Sequence, residues 1–231
     1  MKFEQLYVRV LRLMGYDPAT WTGGPADMEA VADALGRSTR TVWQVTMWSR
    51  LMELVEVDVL TDADGARYVP WGTGVEVGDA VRSVHKRNPR AVRNDALLDY
   101  LISARGLELS FLAGESVWIE YRPMVPVFTR VAYDAGVSYG AGDVVFYEGD
   151  CWRARVDVSG TAPGVGVAEW LRMAVPDWMG DAVVRGAFSD LLRNDGQGDR
   201  ADVEERRFND AILSLVQEQE AQQGQHRRIL V

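Results

Sequence analysis

Few side chains in this sequence are of a type that does chemistry, and their spacing limits what they can do. The two histidines, His85 and His226, fall in a basic loop and in a tail. Neither neighbours a nucleophile or a second metal ligand in the sequence. The lone cysteine, Cys151, sits beside Trp152 in a stretch that reads as a strand, where a thiol is buried and inert. Asp62, Asp64 and Gly65 resemble the start of a calcium loop, but the later ligands are missing. No glycine-rich phosphate loop, His-x-x-x-His pair or Gly-x-Ser-x-Gly elbow occurs. The expectation is a protein that is not an enzyme and calls for no metal and no cofactor. Two groups of side chains remain as binding candidates. Tyr133, Tyr139, Tyr147, Trp152 and Trp170 could offer aromatic faces to a flat ligand. Gln225, His226, Arg227, Arg228, Ile229, Leu230 and Val231 could engage a protein partner. In that group the arginines would pair with carboxylates, and the aliphatics would fill a groove or extend a sheet edge.

Composition narrows the setting. The chain has 231 residues, 47% of them hydrophobic and 26% charged, which fits one or two globular domains plus a small insert. A formal net charge of −9 argues against general nucleic-acid binding, because that affinity comes from neutralising phosphates. One cysteine cannot form an intrachain disulfide. No apolar run has membrane-spanning length, and the first residues show no signal-peptide pattern, so synthesis in the cytoplasm is expected.

The elements that must position these groups follow from periodicity. Phe3, Leu6, Tyr7, Val10, Leu11 and Met14 form one helical stripe, giving a helix over 3–14. Pro25, Asp27 and Glu29 suit the start of a second helix. Trp43, Met47 and Leu51 keep helical spacing, so it is expected to pass through Gly36 and run over 25–53. From Val55 the period becomes two. Val55, Val57 and Val59, a turn at 61–65 and the return at 67–70 predict a hairpin. Further strands are expected at 78–84, 97–103, 107–111 and 117–122, making an antiparallel β meander over 55–122. After prolines at 123 and 126 comes a small β hairpin unit over 129–176, expected to project as a self-contained module. Helices over 178–193 and 199–223 follow. The first is apolar on more than one face, so it must be covered by its own core or by neighbouring subunits. The second loses its apolar stripe after Val216 and turns polar on all sides. The fold class is therefore α+β, with a body of residues 1–128 and 177–231 and an inserted all-β module at 129–176.

Two resemblances rest on these residues. Tyr139, Gly142, Asp143, Val145, Tyr147, Gly149, Trp152, Ala154, Pro163 and Trp170 are spaced as in the small chitin-binding type of carbohydrate-binding module, with Tyr133 where that family opens with Trp. The aromatics are then either the core of a module near the lower size limit for folding or a glycan platform. A platform requires at least two of them coplanar at the surface. The order of elements across most of the chain resembles the neck, or head-to-tail adaptor, proteins of tailed bacteriophages. It is carried by the Trp43 and Trp48 segment, the strand Val117–Pro123, the string from Pro176 and Trp178 through Arg185 to Leu192, and the Gln/Glu-rich helix ending in Gln223 to Arg228. That resemblance implies a structural virion protein between head and tail. Its partners would be the phage portal protein, neighbouring copies in a dodecameric ring, and tail or tail-completion proteins, with no nucleic-acid specificity and no membrane. The other class of function is a glycan-binding accessory protein, or a different tail or baseplate component.

Overall fold

The computed structural model describes residues 1–92, 96–109 and 116–228. It is α+β, and the chain divides into two compact units, residues 1–46 with 125–231, and residues 47–124.

The first unit is built on four helices. Helix α1 is Phe3–Leu13, α2 is Pro25–Gln44, α3 is Gly180–Asn194 and α4 is Gly198–Arg228. The stripe of α1 is buried as its spacing predicts, through Phe3, Leu6, Tyr7, Val10 and Leu11. Helix α3 packs against α1, α2 and α4 together. This explains its apolar character on several faces, since the chain itself supplies the cover. Gly186 sits at a close approach: a Cβ there would lie 2.3 Å from Ser38 Oγ on α2 and 2.9 Å from a Phe208 ring carbon on α4.

Two helix boundaries differ from the periodic reading by more than two residues. Helix α2 does pass through Gly36 but ends at Gln44, and a single 3-10 turn at Ser49–Leu51 follows instead of helix to residue 53. Burial gives the reason. Trp48 is 1% exposed and Leu51 7%, whereas Met47 is 39% exposed. Continuing the Trp43-Met47-Leu51 stripe would bury Met47 and leave Trp48 out, and the larger apolar side chain decides the outcome. Helix α4 runs five residues past the expected end at 223, and its packed face reaches Gln219, which is buried. Straight-chain Gln and Glu retain good helix propensity without an apolar stripe.

The second unit is all antiparallel. Its strands are β1 Glu53–Asp58, β2 Leu60–Thr61, β3 Arg67–Pro70, β4 Ala80–His85, β5 Tyr100–Ile102, β6 Gly106–Leu109 and β7 Ser116–Arg122. They form two sheets, in the orders β1-β7-β4 and β2-β3-β6-β5. The expected hairpin of 55–59 with 67–70 is replaced by a division of labour. Leu60 and Thr61 pair with β3, while Val55 and Val57 turn into the other sheet opposite Ile119 and Val117. The order is therefore not a simple meander. Strand β1 runs straight into β2, and a bridge between His85 and Leu97 joins β4 to the chain entering β5. The strands thus close a circuit around Val57, Val69, Val75, Val84, Leu107, Leu109, Val117, Ile119 and Tyr121. The expected continuation of the sixth strand to residue 111 lies outside the described residues.

The module contributes β8 Ser138–Tyr139, β9 Val144–Tyr147, β10 Asp150–Ala154, β11 Val158–Ser159 and β12 Trp170–Met173 to the first unit. Its sheets have the orders β12-β10-β9 and β11-β8. Tyr147 pairs with Asp150, so Glu148 and Gly149 are the two loop residues of a hairpin. Both have positive φ, 50° and 83°, as a type I′ turn requires.

Candidate functional site

The structure brings all five candidate aromatics together. Trp152 and Trp170 are buried, and Tyr133, Tyr139 and Tyr147 pack against them half-buried. Tyr133 is the hub. Its ring stacks on Tyr139 at 5.5 Å and 28°, meets Tyr147 edge-on at 5.5 Å, and meets Trp170 edge-on at 6.1 Å. Both indole N–H groups donate inward to main-chain carbonyls, Trp152 to Tyr147 at 3.2 Å and Trp170 to Thr161 at 2.9 Å. The stacked pair, Tyr133 and Tyr139, covers one another's faces. These rings do the work of a core, and their mutual packing supplies the apolar area that a module of this size otherwise lacks.

The β9–β10 hairpin does something the periodicity does not reveal: it caps α1. The first N–H groups of a helix have no partner within it. Phe3 N donates to Asp150 Oδ1 at 3.1 Å, and Glu4 N donates to the Gly149 carbonyl at 3.0 Å. Asp150 is buried, and its other oxygen takes a hydrogen bond from Arg172 Nε at 2.9 Å, with Arg172 Nη2 at 2.8 Å. The carboxylate therefore meets both a guanidinium and the positive end of a helix. Gly149 suits this contact because its φ of 83° is one that other residues rarely adopt.

Around this cap the module is fastened further. Phe3 packs on Phe128 at 5.1 Å and edge-on to Phe146 at 5.9 Å. The Arg130 guanidinium lies 4.8 Å over the Tyr7 ring and 4.3 Å over the Phe146 ring, and its main-chain N–H donates to Glu29 Oε2 on α2 at 3.1 Å. Cys151 is fully buried, and its thiol donates to the Thr129 carbonyl at 3.3 Å. Burial pushes that thiol up to about 12, so it is protonated at neutral pH.

The C-terminal candidates are placed only in part. Gln225, His226, Arg227 and Arg228 belong to the last turns of α4, and Ile229, Leu230 and Val231 lie outside the described residues. The other histidine, His85, ends β4 with its Nε2 2.9 Å from Ser83 Oγ. Asp62 is a turn acceptor, taking N–H groups from Asp64 and Ala66 and an ion pair from Arg105 at 2.7 Å. Among the described residues no group of three or more His, Cys, Asp or Glu could hold a metal, and no helix is long and apolar enough to cross a membrane. A groove of about 250 Å³ between α1 and α3 is rimmed by Arg9, Arg12, Asp181 and Arg185, but Asp181 already pairs with Arg9 at 3.0 Å and with Arg185 at 2.8 Å.

One half-buried acid in the β circuit escaped the sequence reading. Asp79 accepts from Glu76 N and Met124 N, both at 2.7 Å. Burial raises its carboxyl to about 6 against those hydrogen bonds, helped by the nearby charges of Glu76 and Glu53. Tyr121 donates to Glu53 at 2.9 Å, and its phenol is pushed up by burial. Nothing local marks Asp150 or Arg172, because their partners are distant in sequence, and the Glu76 contact of Asp79 reads as an ordinary turn without Met124, 45 positions away.

Comparison with known proteins adds no family: no family model matches the chain, and no curated protein matches it.

Proposed function

We propose that this chain is a structural component of a tailed-phage virion, an adaptor that joins the portal of the head to the tail. In this reading it assembles as a ring of copies and uses the end of α4 to reach the portal. The observation that carries the proposal is the order of elements: two N-terminal helices, a β circuit ending in the strand through Trp118 and Tyr121, the aromatic module, and a buried helix leading into a long Gln/Glu-rich one. That order is what the resemblance to neck proteins implies. Past the buried Gln219, Glu220, Ala221 and Gln222 on α4 are exposed, which suits a segment that reaches outward. One earlier support falls away. The apolar faces of α3 are covered within the chain, so they give no argument for neighbouring subunits.

The glycan-binding reading draws less support, since the two tryptophans point their N–H groups inward and the stacked tyrosines cover each other. Retention on chitin or peptidoglycan that is lost in a folded Tyr139→Ala variant would reverse this preference.

The adaptor reading is tested at the C-terminus. Deleting residues 226–231 is expected to leave the melting temperature of the free chain unchanged and to abolish attachment to portal-bearing heads. Normal attachment of the truncated chain would refute the role given to this segment.

A further inference from the structure

The two edges of the β1-β7-β4 sheet carry opposite charge. Between Asp79 and Asp95 the sequence carries Arg82, Lys86, Arg87, Arg90 and Arg93 and no acid, in a chain of net charge −9. Arg82 pairs with Glu120 at 3.4 Å. Lys86, Arg87 and Arg90 are exposed on the turn that leaves β4. Lys86 and Arg90 have no ion-pair partner among the described residues. The turn is ordered. Asn88 takes the N–H of Arg90 on its side-chain oxygen at 2.9 Å, and those of Ala91 and Val92 on its carbonyl at 3.0 and 3.1 Å.

The opposite edge of the same sheet is acidic. The order β1-β7-β4 makes β1 the far edge strand, and Glu53, Glu56 and Asp58 on it are exposed. Tyr121 and Ser116 hydroxyls bond Glu53 and Glu56, but no lysine or arginine pairs with any of the three among the described residues. The register aligns the two edges. Glu56 lies opposite Trp118, and Trp118 lies opposite His85, so the acidic strand and the start of the basic turn share one cross-strand row. Two strand spacings, about 10 Å, separate them.

We infer that this sheet is a head-to-tail docking surface for a second copy of the chain, with the basic turn at 85–90 of one copy seated on the acidic β1 edge of the next. A single copy cannot bring its own two edges together. Two copies set side by side can, and each contact leaves one free edge of each kind. Such a heterologous contact propagates into a closed ring or an open filament. An acidic chain does not favour a polyanion at this turn, because the remaining surface repels it. The inference names the contact for the ring proposed above and takes its biological setting from that reading, while its geometry is independent of it.

The test uses the full chain in analytical ultracentrifugation. Wild type should self-associate, and the association should weaken at least about tenfold between about 0.05 M and about 0.5 M salt. The double variants Lys86→Glu/Arg90→Glu and Glu56→Lys/Asp58→Lys should each remain monomeric while keeping the wild-type melt. Mixed together they should associate again, because each then presents the complement of the other's altered edge. Wild type that stays monomeric, double variants that associate normally, or a mixture that fails to recover would each overturn the inference. So would a basic turn whose reversal abolishes binding to heparin or duplex DNA and leaves self-association intact. Attachment to portal-bearing heads separates the two readings. Normal attachment by the charge variants would defeat this contact and spare the adaptor role. Self-association as described without any attachment would do the reverse.

Discussion

Residues 47–124 and residues 129–175 are both small antiparallel β regions, and they are held together by different means. The first closes a circuit of seven strands around an aliphatic core rich in valine. Its β-branched side chains need no specific partner, and strand pairing fixes their register. The second has too few residues for that. It substitutes rings for valines, with Tyr133 at the hub, and fastens itself to α1 and α2 through Asp150, Arg130 and Phe146. A β region that closes on itself depends on area. One that does not close depends on particular polar contacts, and these are the costlier to remove.

The largest effect should come from excision. The proline boundaries predict that 129–175 can be replaced by a short Gly/Ser linker with the rest intact, since loop closure depends weakly on length. The contacts of Phe3, Tyr7 and Glu29 reverse that expectation. Excision uncovers the buried N-terminal face of α1, so calorimetry should show the cooperative transition of the helical unit lost. A surviving transition would mean that the module is an ornament. Next is Asp150→Ala, which strands Arg172 and the first N–H of α1. About 3 kcal/mol of destabilisation is expected, the low end for a broken buried pair because Arg172 keeps contact with water. Chemical denaturation would measure it, and a loss below about 1 kcal/mol would put the module on the same footing as the β circuit.

A smaller effect belongs to Asp79. Its carboxyl is raised in the folded state to about 6, so its contribution to stability is full below the unfolded value near 3.8 and is lost as pH rises through about 6. The β circuit should therefore be more stable at pH 4.5 than at pH 7.5 by about 1 kcal/mol on this account, discounted because Asp79 is only half-buried. Asp79→Asn should flatten that difference, read from hydrogen exchange at Ile119. An unchanged pH slope would exclude Asp79 as the titrating group. The smallest effect is predicted for Asp62→Asn, which keeps the turn acceptor and removes only the exposed pair with Arg105. The melt of the β circuit should not shift measurably.

Much of this architecture was legible in the sequence, and the failures have a common cause. The α1 stripe, the strand alternation around Val117 and Ile119, and the aromatic hairpin all express a period that one segment imposes on itself. The end of α2 was misread because Trp48 outweighs Met47, a competition settled only by tertiary burial. The pairing of Val55 and Val57 with β7 was hidden because alternation says which face is inward but not which strand lies alongside. The five candidate aromatics were legible as a cluster, while their role within it depended on where the indole N–H groups point. Asp150 looked like turn punctuation, and its partner lies 147 positions away.

That last separation has a consequence for how the chain is made. Helix α1 leaves the ribosome well before the module, and the groups that complete its N-terminus, at residues 149 and 150, follow after more than a hundred further residues. At roughly 5–20 residues per second, the delay is on the order of ten seconds. The β circuit, contiguous from 47 to 124, can close during that interval. The helical unit cannot, because its halves flank the circuit. The amphipathic face of α1, with Phe3 at its tip, therefore waits uncovered while residues 47–124 fold. Synthesis sets an order of events that refolding from denaturant does not impose, and the two routes should differ most in how long Phe3 remains accessible.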